Sequence, residues 1–208
     1  TAVFYSINNC QRGLDGISFG NFLIKRVVEL LADEFRNIRT FCTLSPIPGF
    51  QRWLDAALAA EESPLTEEER KALRGIAGLL PETVPAEASA EQILRALVAR
   101  RGVLRVEEAQ RALEPILTRL CARYLVKEDA PGRAGRARDP VAHFHLSNGA
   151  RTERLNWRAD ASENGHRQSV GMMVNYLYDP DRIEENHELY VGEGRRAVST
   201  ALRKIARG

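Results

Sequence analysis

Residues 3–31, VFYSINNCQRGLDGISFGNFLIKRVVELL, decide the fold class of this chain. Residues 3–7 are aromatic and β-branched and precede two asparagines, a pattern typical of a buried strand that ends in a turn. A glycine-rich loop follows, and from Phe22 onward apolar residues recur at helical spacing. The order strand, glycine loop and helix predicts an α/β fold.

A second apolar stretch, residues 38–44, follows at the distance that a crossover helix requires, so the two strands are predicted to be parallel neighbours. Pro46 lacks the N–H that a strand ladder needs and restricts the residue before it. Ser45 is therefore predicted at the carboxyl end of the second strand. Active-site residues often occupy this position in open α/β sheets, although a serine here also commonly bonds its own backbone in a turn.

The composition changes after this strand, because residues 51–125 are rich in Ala, Leu, Glu and Arg, which predicts helical hairpins. Two pairs of residues have the capping-box spacing of helix starts: Thr66 with Glu69, and Ser89 with Gln92. Gly102 is predicted to end a helix, and Pro115 to bend or interrupt the last one. We interpret residues 55–125 as a helical insertion in the α/β domain.

Residues 130–140, APGRAGRARDP, permit two interpretations, a solvated linker or a segment that contacts an anion. Asp139 and Pro140 are predicted as the N-cap and first residue of a short helix over residues 141–148, for which a strand is the alternative. Further elements are expected along the chain: extended segments over 150–157 and 172–178, a turn at 164–165 and a closing helix over 195–207.

The composition excludes several classes of protein. Of the 208 residues 44% are hydrophobic, which is enough for a full core, and a net charge of +2 predicts no nucleic-acid partner. The three cysteines are far apart and lack CxxC spacing, so neither a disulfide framework nor a zinc site is expected. No apolar run of about 18 residues is present, so no membrane span is expected.

The beginning of the chain lacks the layout of a signal peptide, which predicts a cytoplasmic protein. It also lacks an initiating Met and opens directly on the predicted strand. We therefore expect this chain to be part of a longer protein whose N-terminal part lies upstream, where any organelle-targeting segment would also lie.

The glycine loop is a candidate anion site. Backbone N–H groups at the start of a helix are free to bind a phosphate or pyrophosphate, and the helix dipole favours negative charge there. GLDGISFG, residues 13–20, has neither the G-x-G-x-x-G spacing of a dinucleotide site nor the Gly-Lys-Ser/Thr of a P-loop. From the residues alone, phosphate binding and a plain tight turn both stay open.

His143 and His145 form the other candidate site. A metal pair would need an acidic or cysteine partner at ligand spacing, and none is near, so no metal is predicted. A histidine between Phe144 and Leu146 is otherwise packed with its nitrogens satisfied or placed for proton transfer.

Five segments together resemble the malonyl-CoA decarboxylase family, and they occur in the order of the family. They are FYSINNCQRGLDGISFGNFLIK (4–25), FCTLSPIPGFQRWL (41–54), DPVAHFHLSNGA (139–150), LNWRADASENG (155–165) and GMMVNYLYD (171–179). The likeness covers nearly the whole chain and is weakest over residues 55–110.

The resemblance implies that residues 1–208 form a C-terminal catalytic domain with the fold of the GNAT acyltransferases, a mixed sheet flanked by helices. It also implies a helical oligomerisation domain upstream, absent from this chain, and hence a homo-oligomer. The family converts malonyl-CoA to acetyl-CoA and carbon dioxide, with CoA as part of the substrate and without any separate cofactor.

The resemblance also implies site residues. Ser45 matches a catalytic proton acceptor and His145 a proton donor, with Tyr178 and Asn175 as further members of the pocket. The expected CoA-binding residues lie in the glycine loop: Arg12, Gly13, Asp15, Gly16, Ile17, Ser18, Phe19, Gly20 and Asn21. Some relatives carry a glutamate where this chain has Ser18.

Three alternatives stay open. The fold would also permit an acetyltransferase that acts on an amine, or a non-catalytic module that binds acyl-CoA. A serine beside a histidine would also permit covalent acyl transfer through the serine.

Overall fold

The computed structural model describes residues 1–5, 19–79 and 87–208, with the backbone alone for residues 19–22 and 101. Its strands are β1 Ala2–Tyr5, β2 Phe41–Pro46, β3 Asp129–Ala130, β4 Arg133–Ala137, β5 Arg151–Asn156 and β6 Met173–Tyr178. Its α-helices are α1 Phe19–Glu34, α2 Phe50–Ala57, α3 Glu67–Gly75, α4 Ala90–Ala99, α5 Glu107–Lys127, α6 Pro140–Ser147, α7 Glu163–Ser169, α8 Ile183–Glu193 and α9 Thr200–Ile205.

A four-stranded mixed sheet in the order β1-β2-β6-β5 forms the centre of the fold. β1 and β2 are parallel, while β6 runs antiparallel to both of its neighbours. The predicted parallel pair and the mixed α/β architecture are therefore confirmed. β2 begins only at Phe41, because a turn closed by the Ile38 N–H and the Phe35 carbonyl at 2.8 Å comes first.

Alternate residues of the central strands face the helices. In β6, Val174, Tyr176 and Tyr178 are buried, whereas the residues between them are only half-buried. This period of two is what a strand with one covered face produces. The core thus lies between one face of the sheet and the helices.

The helical block follows most of its local signals. Thr66 and Ser89 each form the predicted capping box. The prediction that Gly102 ends a helix is wrong, because α4 ends at Ala99 and Gly102 lies inside a 3-10 turn. Pro115 does not interrupt α5, which runs from Glu107 to Lys127. Pro115 removes only one backbone hydrogen bond, and the buried side chains next to it keep α5 packed.

Three other segments differ from the predictions. Residues 130–140, predicted as a solvated linker or an anion contact, include β4 and the last residue of β3, which pair as a hairpin that the sequence did not predict. Residues 164–165 are not a turn but part of α7, because Ser162 Oγ accepts a hydrogen bond from the Gly165 N–H at 3.0 Å and caps the helix. The closing helix is shorter than predicted and spans only Thr200–Ile205. None of the described helices is long and apolar enough to cross a membrane.

Candidate active site

Two neighbouring strands and one helix bring the candidate catalytic residues together. Ser45 in β2 and Tyr178 in β6 lie on the covered face of the sheet, where both are buried. α6 packs over this face and presents His145, of which only 2% is exposed. The predicted short helix is confirmed, and it begins as expected with Asp139 as N-cap and Pro140 in the first turn.

Ser45 and His145 form a direct hydrogen bond. Ser45 Oγ lies 3.1 Å from His145 Nε2, and the Ser45 hydroxyl donates to Thr43 Oγ1 at 2.8 Å. With its single hydroxyl hydrogen directed to Thr43, Ser45 Oγ accepts from His145, and Nε2 carries the imidazole hydrogen. Nδ1 then accepts from the Tyr178 hydroxyl at 2.8 Å. Hydrogen bonds thus run from Tyr178 through His145 and Ser45 to Thr43.

Burial determines the charge of the two titratable groups in this hydrogen-bonded series, the His145 imidazole and the Tyr178 phenol. It lowers the pKa of His145 to about 3 and raises the pKa of the Tyr178 phenol. The His145 ring also stacks on Tyr176, with ring centroids 4.4 Å apart. At neutral pH the site therefore contains a neutral imidazole and a protonated phenol.

Thr43 and Tyr176 were not predicted from the sequence. Thr43 Oγ1 accepts from both the Ser45 hydroxyl and the Tyr176 N–H, the latter at 3.2 Å. The one available signal was that Thr43 precedes Ser45 by two positions and must share its face of the strand.

Asn175 lies on the other face of the sheet, between the buried Val174 and Tyr176. Its Nδ2 donates to the Thr43 carbonyl at 2.6 Å, and its Oδ1 accepts from Asn156 Nδ2 at 2.8 Å. These hydrogen bonds link β6 to β2 and β5 next to the pair. A role for Asn175 in the pocket itself stays a prediction.

Most of the predicted CoA-binding residues, Arg12, Gly13, Asp15, Gly16, Ile17 and Ser18, lie outside the described residues. The other three, Phe19, Gly20 and Asn21, form the first turn of α1. β1 ends at Tyr5, which pairs with Leu44, the residue before Ser45. The chain thus leaves β1 at the end of the sheet where Ser45 lies.

No group of three potential metal-ligating side chains occurs within residues 1–5, 19–79 and 87–208. His143 and His145 also have different partners. His143 Nδ1 lies 2.8 Å from the Tyr190 hydroxyl oxygen, and that oxygen accepts from the Ala137 N–H.

Comparison with known proteins points to one family. Residues 1–208 match the family model of the malonyl-CoA decarboxylase C-terminal domain. A mitochondrial malonyl-CoA decarboxylase of Anser anser anser is 40% identical over 198 residues, which are 92% of this chain and 37% of the goose protein. A similar relative from Rattus norvegicus is 39% identical over 197 residues, 92% of this chain and 38% of the rat protein.

A solved structure of malonyl-CoA decarboxylase from Rhodopseudomonas palustris has a TM-score of 0.80 and 43% identity, and the match covers 98% of this chain and 41% of that one. The Agrobacterium vitis enzyme has the same TM-score, 42% identity and coverage of 98% and 44%. The chain thus spans less than half the length of these relatives.

Proposed function

Because this chain belongs to the malonyl-CoA decarboxylase family, we propose that it carries the active site of an enzyme that converts malonyl-CoA to acetyl-CoA and carbon dioxide. The observation that carries the proposal is the buried hydrogen bond between Ser45 and His145 at the carboxyl end of β2. Catalytic side chains of open α/β sheets commonly lie at this end.

The reaction needs little beyond positioning and one proton. When the bond between the carboxylate carbon and C2 of the malonyl group breaks, its electron pair stays on C2 and delocalises into the thioester carbonyl as an enolate. The thioester therefore serves as the electron acceptor. The protein must orient the carboxylate, stabilise the oxyanion and deliver a proton to C2.

We assign proton delivery to His145. Its neutral imidazole carries a hydrogen on Nε2, the nitrogen that faces Ser45. A neutral imidazole with a depressed pKa is known to act as a hydrogen-bond donor to a developing enolate. The carbanion at C2 is a much stronger base than imidazolate, so transfer of the Nε2 proton to C2 is favourable, and water then restores that proton.

We assign binding of the malonyl carboxylate to Ser45. Its hydroxyl donates to Thr43 when no substrate is bound and can rotate toward a carboxylate. Tyr178 bonds Nδ1 of His145 and so orients the imidazole ring. Asn175 links β6 to β2 and β5 beside the pair.

We further propose that the glycine loop, residues 12–21, binds the CoA pyrophosphate. Support comes from β1, which ends beside Leu44, and from α1, whose first turn begins at Phe19 within this segment. Free N–H groups at a helix start suit a pyrophosphate. In the full-length protein we also expect an upstream helical domain, assembly as a homo-oligomer and a cytoplasmic location.

The test is to incubate the full-length protein with malonyl-CoA in D2O, without an amine or added metal. We expect acetyl-CoA and carbon dioxide in equal amounts, with one deuterium in each new acetyl group. Release of CoA only when an amine is supplied would favour an acetyltransferase, and binding without turnover would favour a non-catalytic module. A trapped acyl-Ser45 adduct would contradict direct protonation.

A further inference from the structure

The carboxylate of Asp139, which is 1% exposed, connects three parts of the fold. Its Oδ1 accepts from the backbone N–H groups of Val141 and Ala142, both at 3.0 Å, and so caps α6. Its Oδ2 accepts from the Gly49 N–H at 3.2 Å and from the Tyr124 hydroxyl at 3.3 Å. Oδ1 therefore caps α6, the helix that carries His145, and Oδ2 accepts hydrogen bonds from the start of α2 and from α5.

Gly49 belongs to the segment that follows Ser45. Pro46 and Pro48 lie between Ser45 and Gly49, and their fixed φ angles leave this segment little freedom. A displacement of Gly49 would therefore be passed on to Ser45. Asp139 in turn begins α6, which ends two residues after His145.

Asp139 accepts four hydrogen bonds from N–H and O–H donors, and no ion pair to it is formed among the described residues. A buried carboxylate without a cation is costly unless several donors satisfy it. Three of those donors come from the two segments whose separation sets the Ser45–His145 hydrogen bond, and the fourth is the Tyr124 hydroxyl of α5.

We propose that Asp139 is a positioning residue for the decarboxylation, because its Oδ2 fixes Gly49, and hence Ser45, relative to His145. The inference rests on the proposed function. A shift of about 1 Å between groups that act together can lower turnover by about 100-fold.

Asp139→Asn separates the two roles of the side chain. The asparagine oxygen can still cap α6, since Asn is as good an N-cap as Asp. Its amide nitrogen, however, presents hydrogens to the Gly49 N–H, and that backbone donor cannot rotate away. We expect kcat to fall by about 10- to 100-fold, with the KM for malonyl-CoA unchanged because the Asp139 carboxylate is buried and its hydrogen bonds are to groups of the protein.

A double-mutant cycle in the full-length protein separates positioning from mere destabilisation. If Asp139 acts by positioning Ser45 and His145, Asp139→Asn should not lower further the residual turnover of His145→Ala. Tyr124→Phe removes one donor to Oδ2 and should lower kcat in the same direction but less. Thr66→Ala removes the cap of α3 and serves as the control, with kcat expected to be normal.

If wild type turns over malonyl-CoA, two results would overturn the positioning role. One is a normal kcat for folded Asp139→Asn. The other is an equal fall in kcat when Asp139→Asn is added to wild type and to His145→Ala. A second measurement does not depend on turnover, so it tests the role of Asp139 even if the proposed function is wrong. The crystal structure of Asp139→Asn should show the Ser45–His145 hydrogen bond broken, and an unchanged separation of 3.1 Å would overturn the positioning role.

Discussion

The Tyr178 hydroxyl lies 2.8 Å from Nδ1 of His145 and donates a hydrogen bond to it. The Ser45 hydroxyl donates to Thr43, so Ser45 Oγ accepts from Nε2 of His145, and Nδ1 is the ring nitrogen that accepts from Tyr178. Burial keeps the phenol protonated and the imidazole neutral. We propose that this tyrosine orients the imidazole, a task for which many catalytic histidines use a carboxylate.

Tyr178→Phe should therefore weaken catalysis without preventing folding. The Nδ1 hydrogen bond is lost, both tautomers become populated, and kcat should fall by about 10- to 100-fold, as for other orienting partners of a functional histidine. Steady-state kinetics and the imidazole ¹⁵N shifts of His145 measure the two effects. A normal kcat together with a single Nε2–H tautomer would show that Tyr178 is not needed to fix the ring.

Thr43→Val should lower both stability and turnover. It leaves the Ser45 hydroxyl and the Tyr176 N–H without their shared acceptor, and an unsatisfied buried donor costs about 1–3 kcal/mol. Urea unfolding and kcat are the measurements. Thr43→Ser, which keeps the hydroxyl, is the matched control, and equal losses in both variants would contradict a role for the hydroxyl.

The pH dependence of stability should reveal the buried imidazole. The pKa of His145 falls from 6.5 to about 3 on burial, so between these values the unfolded chain binds more protons than the folded one. Stability is then lost as the pH falls, by about 1.4 kcal/mol per pH unit. Unfolding of wild type and His145→Asn between about pH 6.5 and pH 5 should show the steeper slope in wild type. Parallel slopes would show that His145 is not buried as described.

Gly49→Ala should destabilise the fold, because a Cβ at this position would lie 2.1 Å from the Tyr124 hydroxyl oxygen. We expect a cost of about 1–3 kcal/mol, the usual range for overpacking. Tyr124→Phe removes that oxygen and should recover part of the loss, which thermal unfolding of the double variant measures. If the double variant is no more stable than Gly49→Ala, the Tyr124 hydroxyl is not the group that the new Cβ meets.

Local patterns were sufficient to predict the parallel β1–β2 pair, the place of Ser45 at the end of β2 and the start of α6 at Asp139. Each depends on a few neighbouring residues. Ser45 and His145, in contrast, are 100 positions apart, and their contact depends on how α6 packs over the sheet. The resemblance of the sequence to a known family could pair them, whereas spacing could not.

Where the sequence misled, tertiary packing prevailed over a local signal. Pro115 stays within α5 because the helix buries apolar side chains on both sides of it. Asn164 and Gly165 join α7 because Ser162 caps them as the start of a helix. Thr43 was missed because its role depends on the antiparallel register of β2 and β6, which brings the Tyr176 N–H to its hydroxyl.

We propose that Ser45 and His145 act together in the decarboxylation of malonyl-CoA. The most direct test compares turnover of malonyl-CoA by full-length wild type, Ser45→Ala and His145→Ala, with His166→Ala as a histidine control that bonds the Val98 carbonyl. We predict that loss of the proton donor lowers kcat by about 100- to 10,000-fold, that Ser45→Ala also loses most activity, and that His166→Ala retains it. Near-normal turnover by folded His145→Ala would show that His145 is not the proton donor.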